Sequence, residues 1–409
     1  MSSELTKDKL DELAKRFGDG FYLLDSDVFE DNYLRLSESF KIYYKKFNIA
    51  YSYKTNYTPK LVKIVDRFGG YAEVVSDMEL EIALKSGVVY NRIIWNGPIK
   101  NLNKVEEVLL NGGTVNIDSL QEAQNISELA RKYSKQQFNV GIRCNYEVGD
   151  GVLSRFGIDV KSRDFDSAIK LMANTSNIQL NGLHVHFAKR LPMYWGKRTE
   201  EILKLYDRLK SQYNIKLERI DIGGGMYGSM PESLRNQLDI EEITYEDYSV
   251  RAAKTFSNHF KDEKDAPELI VEPGSALAGN CMRFVCRIET IKEVRGKAFA
   301  TVYGSQKNIS MTGINPPIEI VSSGNEQKEY ENLDIVGYTC IEGDIIQKNH
   351  NGKIAVGDYV VVSNCGSYSV VMKPPFILPN FPIIDISGKE VEIVKRAESV
   401  DDLLYSYSL

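Results

Sequence analysis

Lys54 closes the run Ala50-Tyr51-Ser52-Tyr53-Lys54-Thr55-Asn56, a mostly apolar stretch in which a charged amine is out of place. Burial disfavours an ammonium and makes a lysine nucleophilic toward carbonyls, so this position is the first candidate for covalent chemistry. The plain alternative is a strand-end lysine whose stem is covered and whose head reaches water. A second signal is Asp221-Ile-Gly-Gly-Gly-Met-Tyr-Gly228, whose glycines leave backbone N–H groups bare to hold a phosphate. The run also fits G-x-G-x-x-G, but that fingerprint needs a helix opening at the glycines, and Met230-Pro231 interrupts here. A tight turn is the remaining alternative. The third signal is the carboxylate of Glu272, which ends another apolar run in Glu272-Pro-Gly274. His184 and His186 share a face if they lie on a strand. No carboxylate or third histidine is near them in sequence, so stacking or core packing is expected in place of metal ligation. The five cysteines (144, 281, 286, 340, 365) have no CxxC spacing, which argues against a zinc site or a disulfide frame.

Such groups need a scaffold that brings them together. Eight strand-like runs (47–54, 71–76, 92–97, 114–118, 138–145, 180–187, 219–225 and 268–274) alternate with amphipathic helices. Thr58-Pro59 opens one helix, Asp77 caps the next, and Asp118-Ser119 precedes a third. Eight parallel strands in strict alternation predict an α/β fold, a (β/α)8 TIM-type barrel spanning 27–274. Beyond Gly274, segments 283–290, 298–302, 318–322, 335–340, 358–364 and 370–372 read as a C-terminal antiparallel β-domain, residues 275–409. The run 21–24 would join it, adding residues 1–26. Barrel sites gather at the C-terminal strand ends, and these deliver Lys54, Glu73 with Ser76, Asn96, Asp118, Arg143, His186, the glycine triplet and Glu272. A lysine, an imidazole, a phosphate cradle and a carboxylate on one rim point to pyridoxal 5'-phosphate (PLP). Lys54 would form the Schiff base, Gly223, Gly224 and Gly225 the phosphate site, and His186 would lie against the ring. Glu272 would pair with the pyridine nitrogen.

The composition fits small-molecule chemistry. The 409 residues are 43% apolar and 26% charged with net charge -6 and no Lys/Arg-rich block, which argues against nucleic-acid and anionic-membrane partners. No apolar run has signal-peptide or bilayer length, so a cytoplasmic enzyme without a membrane partner is expected.

From about residue 20 to 375 the chain resembles the fold type III PLP-dependent amino-acid decarboxylases, the diaminopimelate and ornithine decarboxylase group. The resemblance rests on Tyr51-Ser-Tyr-Lys54-Thr-Asn, Glu73-Val-Val-Ser76, Ser154-Arg-Phe-Gly157, Gly182-Leu-His-Val-His186, Asp221-Ile-Gly-Gly-Gly225, Glu272-Pro-Gly274, Cys340-Ile-Glu-Gly-Asp344 and Gly366-Ser-Tyr368. It implies a homodimer with shared active sites, in which the β-domain completes the partner's site and Cys340 is the proton donor after CO2 leaves. It also places Tyr368 near the cofactor phosphate, and Glu73 and Arg143 in the network around the lysine and cofactor.

Four departures stand out. Ser275 replaces the arginine that follows Glu-Pro-Gly in the family, and Lys189 replaces a phosphate-binding serine, so Lys189, with Arg190, is expected to return the lost charge. Ile341 stands where an acidic residue reads the substrate's distal amine, with Glu342 one place later, and strand alternation would turn Glu342 away. Met372-Lys-Pro-Pro-Phe376 replaces the Ser-Ser-x-x-Asn-x-Arg region of diaminopimelate decarboxylases, which makes that substrate less favoured. Ile341, Glu342, Asp344 and Lys373 are the candidate substrate-binding residues. The reading is a carboxy-lyase for a non-standard α-amino acid of siderophore, polyamine or secondary metabolism. The alternatives are a racemase on the same fold and a catalytically inactive regulatory homologue.

Overall fold

The computed structural model describes residues 5–261, 264–309 and 313–408. They separate into two compact units, one of residues 31–228 and 243–276, the other of residues up to 30, 229–242 and 277 onward.

The first unit is a closed barrel of eight parallel strands: Phe47–Ser52, Tyr71–Val74, Ile93–Trp95, Thr114–Ile117, Phe138–Asn145, Ile178–His184, Arg219–Asp221 and Glu268–Val271. Each pairs in parallel with the next, and Leu269–Val271 pairs with Phe47–Ile49 to close the ring. Strands buried on both faces lose their alternation and become continuous apolar runs, as in Phe47–Ser52, where only Asn48 is not fully buried. Ala50, Ile94 and Ile270 meet in one interior cluster. The strands end earlier than the sequence pattern suggests, because their last residues form the rim. The first stops at Ser52, and Lys54 sits in the 3-10 turn Tyr53–Thr55. Pro59 opens helix Pro59–Arg67 at its first turn, as expected. Helix Asp77–Lys85 is capped by Ser76 and not by Asp77, since Ser76 Oγ accepts from the Glu79 amide at 3.2 Å.

The second unit is built on a nine-stranded sheet. Its central strand Met282–Val294 pairs antiparallel with Gly20–Leu24, Lys297–Val302 and Tyr359–Val362. Gly20–Leu24 therefore belongs to this sheet, not to the barrel. The expected antiparallel sheet is mixed: Gly20–Leu24 runs parallel to Ile383–Asp385, and Lys297–Val302 parallel to Lys328–Val336. Helix Lys7–Phe17 packs Leu10 and Leu13 onto Phe21, Val285, Tyr359 and Ile384. One expected strand, 370–372, is absent, and that at 335–340 is cut short. Strand Lys328–Val336 ends before Gly337, and residues 337–344 and 370–372 are loop and turn. Among the described residues, no helix is long and apolar enough to cross a membrane.

Candidate active site

One line of hydrogen bonds crosses the barrel rim from Lys54 to Glu272. Lys54 Nζ lies 2.5 Å from Glu73 Oε2, which also accepts from Ser52 Oγ at 2.5 Å. Asn96 Nδ2 bridges Glu73 Oε1 at 3.0 Å and Glu272 Oε1 at 2.5 Å, while Asn96 Oδ1 accepts from Asn116 Nδ2 at 2.8 Å. Glu73, Asn96, Asn116 and Glu272 are all buried, and the Lys54 side chain keeps 32% exposure. The lysine is thus held by an ion pair with an open approach, not isolated in an apolar pocket. Nearby, the Glu79 carboxyl is pushed up to about 7 by burial and by the charge of Glu73.

Glu272 faces His184, the last residue of the sixth strand, and His186 just beyond it. His184 Nε2 lies 3.2 Å from Oε1 and His186 Nδ1 3.5 Å from Oε2. Burial opposes ionisation of Glu272, but the His184 imidazole and the Lys54 charge together hold it well below the usual carboxylate range. Burial lowers His186 to about 4. Its ring is neutral at neutral pH, and since Nδ1 accepts the Gly224 amide at 3.0 Å, Nδ1 carries no proton. Asp221 is raised well above its ordinary value by burial and by Glu272. Its Oδ1 accepts the Gly223 amide at 2.8 Å, and its buried Oδ2 has no donor, the position a carboxyl proton would occupy. Of these two neighbouring carboxyls, Asp221 is thus the one whose neutral form is favoured. The statement that no carboxylate lies near the histidines holds only along the chain, because His184, Asp221 and Glu272 place ligating atoms within 4.8 Å of one another.

The glycine run follows the seventh strand. The next helix, Glu232–Leu238, starts well past it, so the run lacks the helix a dinucleotide fingerprint requires. Gly223, at φ +73°, and Gly224 lie against neighbouring strand ends: a β-carbon would stand 2.2 Å from the Val185 and Glu272 carbonyl oxygens, respectively. Their amides are used by Asp221 and His186. A β-carbon on Gly225 would lie 3.8 Å from Arg190 Cγ and 3.9 Å from the Lys189 carbonyl oxygen, while the Lys189 side chain is exposed. The Arg190 guanidinium lies 5.7 Å from the Tyr227 ring centre. Arg143, on the fifth strand, lies 3.7 Å from Asp118 Oδ1 and covers the Phe156 ring.

The remaining candidates lie in the second unit. Cys340, Ile341 and Glu342 form an exposed loop, so the alternation argument that turned Glu342 away does not apply. Asp344, expected as a substrate ligand, is buried beneath that loop. Its carboxylate accepts from Ser305 Oγ at 2.9 Å, the Gln306 amide at 2.8 Å and Thr339 Oγ1 at 2.6 Å, and so fastens the base of that loop. Lys373 is buried, not exposed: its Nζ donates to Asn380 Oδ1 at 3.0 Å, and burial lowers it to about 8. Tyr368 has φ +54°, a costly backbone for an aromatic residue.

Asn96, Asn116, Asp221 and His184 carry the network but were not singled out as site residues from sequence. Asn96 was visible as a polar strand end, and Asp221 as part of the glycine motif. The arrangement fits PLP: a paired amine at the rim, one buried carboxylate kept anionic, a neutral imidazole, and the Gly225 amide, which has no protein acceptor among the hydrogen bonds of the described residues.

The chain is similar to known proteins over nearly its whole length. Residues 30–279 match the family described as pyridoxal-dependent decarboxylase, pyridoxal binding domain. The diaminopimelate decarboxylase of Methanocaldococcus jannaschii is 25% identical over 96% of this chain and 92% of its own. A crystal structure of the M. jannaschii enzyme covers 97% of this chain and 94% of its own with a TM-score of 0.86. The L-glutamyl-[BtrI acyl-carrier protein] decarboxylase of Niallia circulans is 26% identical over 98% of this chain and 96% of its own.

Proposed function

The chain belongs to the pyridoxal-dependent decarboxylases, and from that premise we propose that this PLP-dependent amino-acid decarboxylase acts on an α-amino acid with a larger or differently charged side chain than free ornithine or lysine. Ile341 in place of an acidic residue supports this reading, since an exposed isoleucine gives a distal ammonium no partner. A siderophore, polyamine or other secondary-metabolite pathway suits such a substrate. The N. circulans relative, named for a carrier-bound glutamyl group, is a precedent for a bulky one. Diaminopimelate is the second reading, favoured by the name of the M. jannaschii relative.

The observation that carries the site assignment is the unbroken line Lys54–Glu73–Asn96–Glu272. When bound, PLP supplies an electron sink for the carbanion left at Cα as CO2 departs. Lys54 is the amine that holds the cofactor aldehyde, and Glu73 orients it. Glu272, kept anionic beside the His184 imidazole, would hold a proton at the pyridine nitrogen; a racemase of this fold has arginine there. His186, neutral and fixed through the Gly224 amide, covers one ring face. Gly225 and Tyr368 serve the phosphate, and Arg143 ties the 154–157 loop to the rim. The chain works as a homodimer in which the exposed Cys340 thiol delivers a proton to Cα in the partner's site, with Ile341 and Glu342 reading the substrate side chain.

The test is CO2 release by the PLP-loaded protein from a panel of free, carboxylated-polyamine, citryl-conjugated and carrier-bound amino acids plus diaminopimelate, with Lys54→Ala as the control. Release from a non-standard amino acid, abolished in the control, is expected. Release from diaminopimelate alone would establish the second reading, and no release from any member would overturn both.

A further inference from the structure

Helix Pro192–Tyr213 carries a residue that its sequence disguises. Gly196-Lys-Arg-Thr-Glu-Glu201 reads as a solvated helix face, yet Arg198 is completely buried. Its guanidinium lies beneath the glycine run. Nη1 donates to the carbonyl oxygens of both Ile222 and Gly224 at 2.9 Å, and the group lies 4.6 Å from the Trp195 ring centre and 5.5 Å from that of Phe187. Nε and Nη2 have no hydrogen-bond partner among the described residues. No carboxylate forms an ion pair with it there, although a buried charge ordinarily has one. Burial lowers it to about 10, so it remains a cation at neutral pH.

The two carbonyl contacts set the direction of the loop. In a trans peptide unit the C=O and N–H point opposite ways. Arg198 draws the Gly224 carbonyl toward the core, which turns the N–H of the same peptide unit, that of Gly225, away from it. That amide is the one in the triplet that neither Asp221 nor His186 takes. A fixed positive charge behind an outward amide is the arrangement that attracts an anion.

We infer that Arg198 is a positioning residue for the cofactor phosphate: it aims the Gly225 amide and supplies, from beneath the loop, the positive charge that the Ser275 replacement removes. The phosphate dianion is in turn the counter-charge that Arg198 lacks within the protein. This rests on the glycine run being the phosphate end of the site. It also shifts the compensating role from the exposed Lys189 to a cation that water cannot screen.

The experiment separates the phosphate from the rest of the cofactor. The holoenzyme is stripped with hydroxylamine, and PLP and pyridoxal, which lacks the phosphate, are titrated back by absorbance into the wild type, Arg198→Met, Arg198→Lys and Lys189→Ala. Arg198→Met is expected to weaken PLP by about 10- to 100-fold, the range for one charge-assisted hydrogen bond, and to leave pyridoxal within about twofold. Arg198→Lys, which keeps the charge but not the planar fork, should lose less, and Lys189→Ala should change the PLP-to-pyridoxal ratio by under threefold or so. A residue needed only for packing would weaken both ligands alike. If Arg198→Met does not fold, Arg198→Lys decides: an unchanged ratio overturns the inference. A wild type that binds PLP no better than pyridoxal would overturn the glycine run as the phosphate site. A wild type that binds neither would overturn the cofactor reading itself.

Discussion

Asn96 is a neutral side chain joining Glu73 to Glu272, so replacing it tests whether the rim works as one network. Its Nδ2 donates to a carboxylate on each side, at 3.0 and 2.5 Å. Hydrogen bonds to charged groups contribute about 1.5–3 kcal/mol each, so Asn96→Ala should cost about 3–6 kcal/mol. In a unit of some 230 residues, each kcal/mol moves the thermal midpoint by roughly 2–4 °C, so a fall on the order of 10 °C is expected. Asn96→Asp is the sharper variant because it keeps the shape and exchanges the donor for an acceptor. Three adjacent carboxylates cannot all be ionised, so the new aspartate's folded pKa must rise above the unfolded value of about 3.9. A raised folded pKa means that the folded state holds the extra proton. The variant is therefore nearest to wild type at low pH and loses stability as pH rises through the folded pKa. A rise of two to three units costs about 3–4 kcal/mol at pH 8. The assay is the difference in circular-dichroism midpoint between Asn96→Asp and wild type from pH 5 to 8. A difference that stays flat, or shrinks as pH rises, refutes the shared network.

Three further perturbations have distinct signatures. Cys340→Ser lies in an exposed loop, so its midpoint should stay within about 0.5 kcal/mol of wild type while CO2 release falls at least about tenfold; an equal loss of both would make Cys340 structural. Asp344→Ala removes the acceptor for Ser305, Gln306 and Thr339 and should destabilise the second unit by about 2–4 kcal/mol, read as faster proteolysis near residue 340. His186, at about 4 in the folded chain and about 6.5 unfolded, binds more protons in the unfolded state, so stability should rise with pH across that interval. His186→Gln should flatten this part of the midpoint-against-pH curve, and an unaltered slope would contradict the buried neutral ring.

The barrel was legible because eight buried strands leave apolar runs that rim residues punctuate, and the polar strand ends named most of the network. Which ends meet was not legible. Asn96 and Glu272 are 176 residues apart and become partners only through barrel closure, which no local pattern encodes. The second unit misled where loops carry strand-like composition. The segment 335–340 begins with Ile335-Val336, which do pair in a strand, but Asp344 holds the chain in a loop from Gly337. Arg198 was hidden for the opposite reason, since its neighbours Lys197, Glu200 and Glu201 give a buried position the composition of a surface.

Asp221 and Glu272 are shifted in opposite directions, and the reason lies in their surroundings. Two adjacent buried carboxylates cannot both ionise. The partners decide which one does: Asp221 has one backbone amide, whereas Glu272 has Asn96, the His184 imidazole and the charge of Lys54. The group at the barrel rim is thus anionic by arrangement, and a cationic ring nitrogen is what it is suited to face. Nothing in that arrangement refers to a substrate side chain. Under the proposed function, selection among amino acids falls to the exposed Ile341-Glu342 pair, whose loop is fastened at its base by Asp344. Exchanging Ile341 for Asp should therefore alter which amino acid is decarboxylated while leaving PLP affinity within about twofold; a matching loss of cofactor binding would show that chemistry and selection are not separable in this fold.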